Sequence, residues 1–321
     1  MATPESFFRL TRMLHYRSIE SCVLQSSWIT IGSFDGIHRG HQYLISKMVE
    51  DARKNQVPAV IITFSPHPSV FLQKINTPFY LTSLDEKLGY LEELGVDYVF
   101  TLDFNHELAS MRAQEFISLL SQYLGLRSLW VGQGFALGKN REGNIPFLQT
   151  LGEQLHYELQ VVEPLQMDGY KISSSLIRKL IAEGNVHSVK PILGRHYSIR
   201  GKVVPGDHRG RLLGIPTANL QTTSQRLLPA NGIYATRTVV DGITYDSVTN
   251  VGIRPTFSTT NPVPIIESYI LDFDRDIYNK TIDVVFIEFL RPEERYSELQ
   301  ALLNQIELDI QKTREVLKHE P

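Results

Sequence analysis

A chain of 321 residues exceeds one ordinary domain, and 42% hydrophobic with 21% charged residues is a composition for packed cores, which excludes wholesale disorder. A formal net charge of −3 lacks the basic excess that grips nucleic acid, and a single cysteine, Cys22, excludes an internal disulfide and a cysteine-built metal site. No stretch approaches the ~18 apolar residues of a spanning helix, and the opening segment MATPESFFRLTRMLHYRS has no apolar run of signal-peptide length; the expectation is a cytoplasmic protein with no membrane and no nucleic-acid partner.

Residues 28–31 are short, apolar and end at Gly32, the pattern of a buried strand. Over residues 41–53 the apolar positions Leu44, Ile45, Met48, Val49 and Ala52 follow helical spacing. Residues 59–64 predict a second strand, 85–94 and 114–124 helices, and 98–102 and 128–131 further strands. Strands alternating with helices imply βαβ units and a mainly parallel sheet, whose ligands sit beyond the carboxyl ends of its strands.

After Gly184 the rhythm changes. Residues 197–204, 233–240, 245–251, 265–273 and 282–290 are strand-like, separated by Gly, Pro, Asn and Asp, which predicts a closed antiparallel barrel or a sandwich. Leu299, Leu302, Leu303, Ile306, Ile310 and Leu317 mark an amphipathic terminal helix fit to lie on it. The change of pattern at 185–192 places two domains at residues 1–186 and 187–321.

The first predicted strand runs into GSFDGIHRGH (32–41) and then directly into a helix. Glycine lets backbone approach phosphate closely, and a helix start presents unpaired N–H groups and a positive dipole end. His38 and His41, three residues apart, could donate to phosphate oxygens. Taken alone they read equally as polar caps, or as zinc ligands for which only His67 and carboxylates such as Asp35 offer a third and fourth partner. TFSPHP (63–68) lies just past the second strand, and ISSSLIR (172–178) opens a predicted helix with hydroxyls followed by an arginine. The serines alone read as a helix cap; in this chain order with HxGH they resemble the HIGH-type nucleotidyltransferase superfamily. Residues 132–138 (GQGFALG) read as a ligand-lining loop or an ordinary turn.

In the second half, GRLLGIPTANL (210–220) is a long hairpin connection or a ligand loop. On extended backbone Thr217 and Asn219 face one way and offer two hard oxygens to Mg²⁺. Glu267, within an apolar strand, points to solvent or stands ready to take a proton.

These segments, with LGRHY (193–197), NGIYA (231–235), NVGIRPTF (250–257) and the strand of Glu267 through LDFDRDIY (271–278), resemble the bacterial bifunctional riboflavin kinase/FMN adenylyltransferase family over residues 27 to about 300. The resemblance implies an N-terminal Rossmann-like HIGH-type nucleotidyltransferase domain and a C-terminal β-barrel riboflavin kinase domain. It implies ATP, riboflavin, FMN and FAD as substrates and products, with Mg²⁺, in a monomer or weak homo-oligomer. Phe34, Asp35, Gly36, His38 and His41, with Ser174, Ser175 and Arg178, would hold ATP for adenylyl transfer, and His67 and Phe135 would meet the flavin. Thr217 and Asn219 would position Mg²⁺ and ATP in the kinase, with Glu267 as its base. His38 and His41 would be the catalytic donors of the first site.

Three positions depart from the family pattern: Gly134 replaces an Asp or Asn, Tyr269 replaces a common histidine, and Ser33 lies where the residue type varies. The competing readings are another nucleotidyltransferase and a non-catalytic flavin carrier or β-barrel RNA-binding protein, the RNA version weakened by the acidic balance.

Overall fold

The structure, a computed structural model, describes residues 12–167, 170–206, 214–254 and 263–320. It divides into two compact units. One holds the chain up to Asn76 together with Thr82–Ser173, the other Thr77–Leu81 with Ser174 onward.

In the first unit, β1 (Leu14–Tyr16), β2 (Ser27–Ile31), β3 (Ala59–Ser65), β4 (Tyr98–Asp103), β5 (Leu126–Gly132) and β8 (Glu158–Val162) form one sheet in the order β1-β4-β3-β2-β5-β8, every pairing parallel. Two small hairpins flank it: β6 (Ala136–Leu137) with β7 (Gly143–Asn144), and β9 (Gln166–Met167) with β10 (Tyr170–Lys171). Helices α1 (Arg39–Lys54), α2 (Pro68–Gln73), α3 (Leu84–Glu93), α4 (His106–Ser110), α5 (Ala113–Leu124) and α6 (Ile145–Leu155) connect the strands. The sheet separates two apolar layers. Ile29, Ile31, Val60, Ile62 and Phe100 pack with α5 and α6, while the alternate residues Ile61 and Val99 pack with Ile45, Met48 and Ala52 of α1. Strands buried on both faces explain their near-continuous apolar sequence. The sequence periodicity located the central strands; β1, β8, the two hairpins, α2, α4 and α6 are additions, short or carrying weaker patterns.

The second unit opens with α7 (Ser174–Ala182) and α8 (Val189–Leu193). Six antiparallel strands then close a barrel in the order β11-β12-β15-β14-β13-β16: β11 (Tyr197–Val204), β12 (Ala218–Gln221), β13 (Gly232–Val240), β14 (Ile243–Arg254), β15 (Val263–Ile270) and β16 (Thr281–Arg291). The terminal helix α9 (Leu299–Lys318) lies against β13, β14 and β16.

The barrel interior is apolar at one level, around Ile199, Tyr234, Val251, Ile266 and Phe286, and polar at another. There Thr236, Ser247, Thr238, Ser268 and Thr249 are fully buried and join into a closed hydroxyl ring. Its oxygen distances are 2.8 Å (236–247), 2.8 Å (247–238), 2.9 Å (238–268), 3.1 Å (268–249) and 2.7 Å (249–236). Each hydroxyl can donate once and accept once around such a ring, so no buried O–H is left unmade. Because β15 alternates faces, an inward Ser268 sends its neighbour Glu267 to the outer wall of the barrel.

Candidate functional site

Two sets of functional side chains emerge, one in each unit. In the first, the chain leaves β2 through a turn in which Phe34 (φ 46°), Gly36 (φ 84°) and Ile37 (φ 39°) all take positive φ. That conformation is costly for the two non-glycine residues and persists only when the surroundings over-determine it. The surroundings do so here. Asp35, 1% exposed, accepts from the Thr82 N–H (3.2 Å) and the Thr82 hydroxyl (3.3 Å), and the Gly36 N–H donates to that same hydroxyl (3.2 Å). Lys87 Nζ donates to the Ser33 carbonyl (2.7 Å) and lies 3.4 Å from Thr63 Oγ1, which also donates to that carbonyl (3.2 Å). Burial pushes the Lys87 ammonium below the ordinary lysine range, and the Asp35 charge pulls the other way.

The turn delivers His38 as the N-cap of α1, with its Nδ1 accepting from the His41 N–H (3.3 Å). An acceptor role for Nδ1 leaves the ring proton on Nε2, making that atom the donor. The two imidazoles stack with centroids 3.6 Å apart and an interplanar angle of 16°, and Phe34 meets His41 edge-on at 5.2 Å. The capping and phosphate-donor readings of His38 are therefore compatible, since they use opposite ring nitrogens. No group of three or more His, Cys, Asp or Glu among the described residues is arranged to hold a metal ion. His67 caps α2, its Nδ1 accepting from the Ser69 N–H (3.0 Å). Phe135 lines a separate hollow of about 440 Å³ with Gly134, Arg141 and Asn144, and Arg141 donates to the Gly134 carbonyl (3.2 Å).

In the second unit, Ser174 and Ser175 open α7, and Arg178 stands one turn along. Its guanidinium lies 3.8 Å from the Phe79 ring centroid while Nε donates to the Phe79 carbonyl (2.9 Å). Phe79 belongs to the 77–81 segment grouped with this unit, which hydrogen-bonds to Gln225 and Leu227 through backbone.

A cavity of about 840 Å³ opens on the outer wall of the barrel. Register pairs Asn219 of β12 with Glu267 of β15, Glu267 with Asn250 of β14, Asn250 with Ile233 of β13, and Ile233 with Arg291 of β16. Cross-strand partners face the same way, so these five residues form a row, and all five line the cavity. Thr217, just before β12, lines it too. Glu267 thus sits on the wall of a cavity rather than on an open surface. Asn219 Oδ1 and Asn250 Oδ1 are buried without a hydrogen-bond donor among the described residues. At the far end of the row Arg291 forms a bidentate pair with the buried Asp309 of α9 (Nη2–Oδ2 2.7 Å, Nε–Oδ1 2.9 Å), which also accepts from Gln305 (3.0 Å). Leu302 and Ile306 of α9 give the cavity an apolar side.

Sequence reasoning did not find Thr82, Lys87 or Asn250. A lysine and a threonine around a helix start read as solvent-facing, and only the three-dimensional path of the 32–38 turn puts them beneath it. Asn250 stands inside the NVGIRPTF segment, but only barrel register places it beside Glu267.

Comparison with known proteins gives two family matches: residues 21–176 match the FAD synthetase family and residues 193–317 the riboflavin kinase family. The bifunctional riboflavin kinase/FMN adenylyltransferase of Escherichia coli K12 is 37% identical over 298 residues, covering 92% of this chain and 93% of its own. The protein of the same description from Pseudomonas fluorescens is 35% identical, over 89% and 91%. A Streptococcus pneumoniae crystal structure described as a macrolide-efflux protein superposes with a TM-score of 0.84 at 29% identity, covering 95% of this chain and 99% of that one. In the present chain no helix among the described residues is long and apolar enough to cross a membrane.

Proposed function

Because this chain belongs to the bifunctional riboflavin kinase/FMN adenylyltransferase family, we propose that it phosphorylates riboflavin on the barrel and adenylylates the resulting FMN in the first domain. The observation that carries the kinase half is the row Asn219–Glu267–Asn250 on one wall of a cavity large enough for a flavin. Riboflavin presents a neutral terminal hydroxyl, which loses its proton as the oxygen attacks the γ-phosphorus of ATP and ADP departs. Glu267, on the wall of that cavity, would take the proton. A buried carboxamide oxygen with no donor, beside the hydroxyl-bearing Thr217, suits a hard divalent cation, so Asn219 and Thr217 are the residues that would hold Mg²⁺. Bound there, Mg²⁺ would neutralise charge on the ATP phosphates. The apolar side chains Leu302, Ile306, Val248 and Ile233 are the surface for the flavin ring system.

Adenylyl transfer makes a different demand. The FMN phosphate is already anionic, so its oxygen attacks the α-phosphorus and pyrophosphate leaves without a general base. The need is for donors where negative charge accumulates. The stacked pair supplies one from His38 Nε2 and a second imidazole from His41, on the strained turn of Phe34, Asp35 and Gly36 at the start of α1. Ser174, Ser175 and Arg178 are assigned to the same ATP through the ISSSLIR motif, and His67 and Phe135 to the flavin, by family pattern. The catalytic domains are taken at 1–186 and 187–321, in a cytoplasmic monomer or weak homo-oligomer.

The test incubates purified protein with riboflavin, ATP and Mg²⁺ and separates the flavins over time. FMN followed by FAD is expected. His41→Ala should abolish FAD formation and spare FMN formation, and Glu267→Ala the reverse, each by roughly a hundredfold or more. Tight riboflavin binding without turnover would make the protein a carrier, and loss of both activities in either folded variant would overturn the two-site assignment.

A further inference from the structure

Glu267 is flanked on both sides by asparagines, and the two flanks differ. Toward β12 the row runs to Asn219 and Thr217, the polar end where the proposed metal and ATP belong. Toward β14 it runs to Asn250 and then Ile233 before ending at Arg291, and apolar side chains gather on this part of the wall: Val248 lies two residues from Asn250 on the same strand face, and Leu302 and Ile306 of α9 line the same cavity. Asn250 is therefore a lone carboxamide between the base and the apolar surface. Its Oδ1 is buried without a donor among the described residues. A buried amide without a partner is costly, and one that lines a cavity recovers that cost when a ligand supplies the partner.

The row order fixes which part of the ligand this is. When the primary hydroxyl of riboflavin reaches Glu267 and the ring system lies on the apolar wall, the stretch between them is the polyhydroxylated side chain. Opposed residues on antiparallel strands have Cβ atoms about 4.5–5.5 Å apart, so the tips of Asn250 and Glu267 address neighbouring points on one chain. We propose that Asn250 is the residue that selects the sugar-alcohol side chain, hydrogen-bonding the secondary hydroxyl next to the primary hydroxyl deprotonated by Glu267. This inference rests on the kinase reading given above and adds to it a determinant of substrate class: a flavin whose side chain is a polyol, rather than any flavin ending in a primary alcohol. The other orphan carboxamide cannot share this task if it faces the metal.

The experiment compares riboflavin with a flavin carrying a 5-hydroxypentyl chain, which keeps the primary hydroxyl and lacks the secondary ones, as kinase substrates of wild type, Asn250→Ala and Asn250→Ser. A site built to hydrogen-bond a hydroxyl discriminates strongly against its absence. The wild type should prefer riboflavin by about tenfold or more in kcat/KM. In both variants riboflavin should lose about that factor more than the hydroxypentyl flavin does, mainly through KM, so the preference collapses toward one. Two small substitutions guard against a disturbance of β14; melting temperatures accompany the kinetics, and a ratio that collapses in the variant that stays folded carries the result. A preference retained in the folded variant, or an equal loss on both flavins, would overturn the assignment and make Asn250 either dispensable or a support for Glu267. If the wild type forms no FMN from riboflavin, the kinase reading falls and this inference falls with it; an unchanged preference in an otherwise active kinase sinks the inference alone.

Discussion

Lys87 Nζ lies 2.7 Å from the carbonyl oxygen of Ser33, so a buried ammonium on α3 holds down the turn that presents the stacked histidines. Thr63 Oγ1 donates to the same carbonyl, which keeps one donor if the lysine is removed. Lys87→Met fills similar volume without a charge. The loss of one buried hydrogen bond, about 1–3 kcal/mol, should loosen the turn, raise the KM for ATP in adenylyl transfer by about tenfold and leave FMN formation untouched. Steady-state kinetics of the two reactions check this; equal effects on both would mean that Lys87 acts on global folding.

The same lysine predicts a pH trend. Its folded-state pKa is depressed by burial, so the unfolded chain binds more protons between that depressed value and the ordinary lysine range near 10.4. The destabilising contribution of Lys87 is complete below the depressed pKa and is relieved as pH rises through it. The stability of Lys87→Met relative to wild type should therefore be highest at the neutral end of the range and fall as pH rises. Melting curves of the two proteins from pH 7 to pH 10 give the difference directly; a difference that grows with pH would contradict the burial argument.

Gly134 stands where the resemblance leads one to expect Asp or Asn. An added Cβ there meets no atom within 4 Å, and the residue lies outside the positive-φ region, so a side chain enters without strain. Gly134→Asn should lower the KM for FMN in adenylyl transfer by about fivefold, the worth of one ordinary hydrogen bond of about 1 kcal/mol. Titrating FMN at saturating ATP measures it. No change would mean that this position does not reach the flavin.

The two halves were legible in sequence for different reasons. Period-two and period-3.6 patterns separated a parallel sheet from an antiparallel barrel because Ile61 and Ile62 are buried on opposite faces while Ser268 and Glu267 divide between inside and outside. HxGH and the Thr–Ala–Asn triplet were visible because they are contiguous. What stayed hidden depends on pairing across the chain: the contact of Asp35 with Thr82, 47 residues on, and the placing of Asn250 beside Glu267 by barrel register. The closed ring of Thr236, Thr238, Ser247, Thr249 and Ser268 was hidden for the same reason, since each residue alone reads as an ordinary strand position.

Arg291 and Asp309 fasten α9 to β16 beside the cavity on the barrel wall, with Asp309 only 5% exposed. Removing one partner strands a largely buried charge, so Asp309→Ala should cost about 3 kcal/mol and visibly lower the melting temperature of the barrel. Because Leu302 and Ile306 ride on the same helix, the riboflavin KM should rise by about tenfold with little change in kcat. Arg291→Met with Asp309→Leu removes both charges together and should recover most of the stability. Thermal melts of the single and double variants decide whether the pair acts through its charge or through the shape of the helix contact.

Gly206 abuts Asn219 so closely that a Cβ would stand 2.3 Å from Nδ2, 2.6 Å from Cγ and 2.8 Å from Oδ1. Real Cβ atoms do not tolerate such distances, so in Gly206→Ala either the loop or the carboxamide must move. Asn219 is anchored by its backbone pairing with Glu267 and Val204, which leaves its side chain as the part that yields. The Mg²⁺ concentration needed for half-maximal riboflavin phosphorylation should rise by about tenfold, and kcat should fall with it, while adenylyl transfer from added FMN proceeds at the wild-type rate. A Mg²⁺ titration of both reactions on one preparation makes the comparison. If the kinase kept its wild-type Mg²⁺ dependence in a variant whose crystal structure shows the Asn219 amide displaced, the assignment of Asn219 as a metal-holding residue would fail.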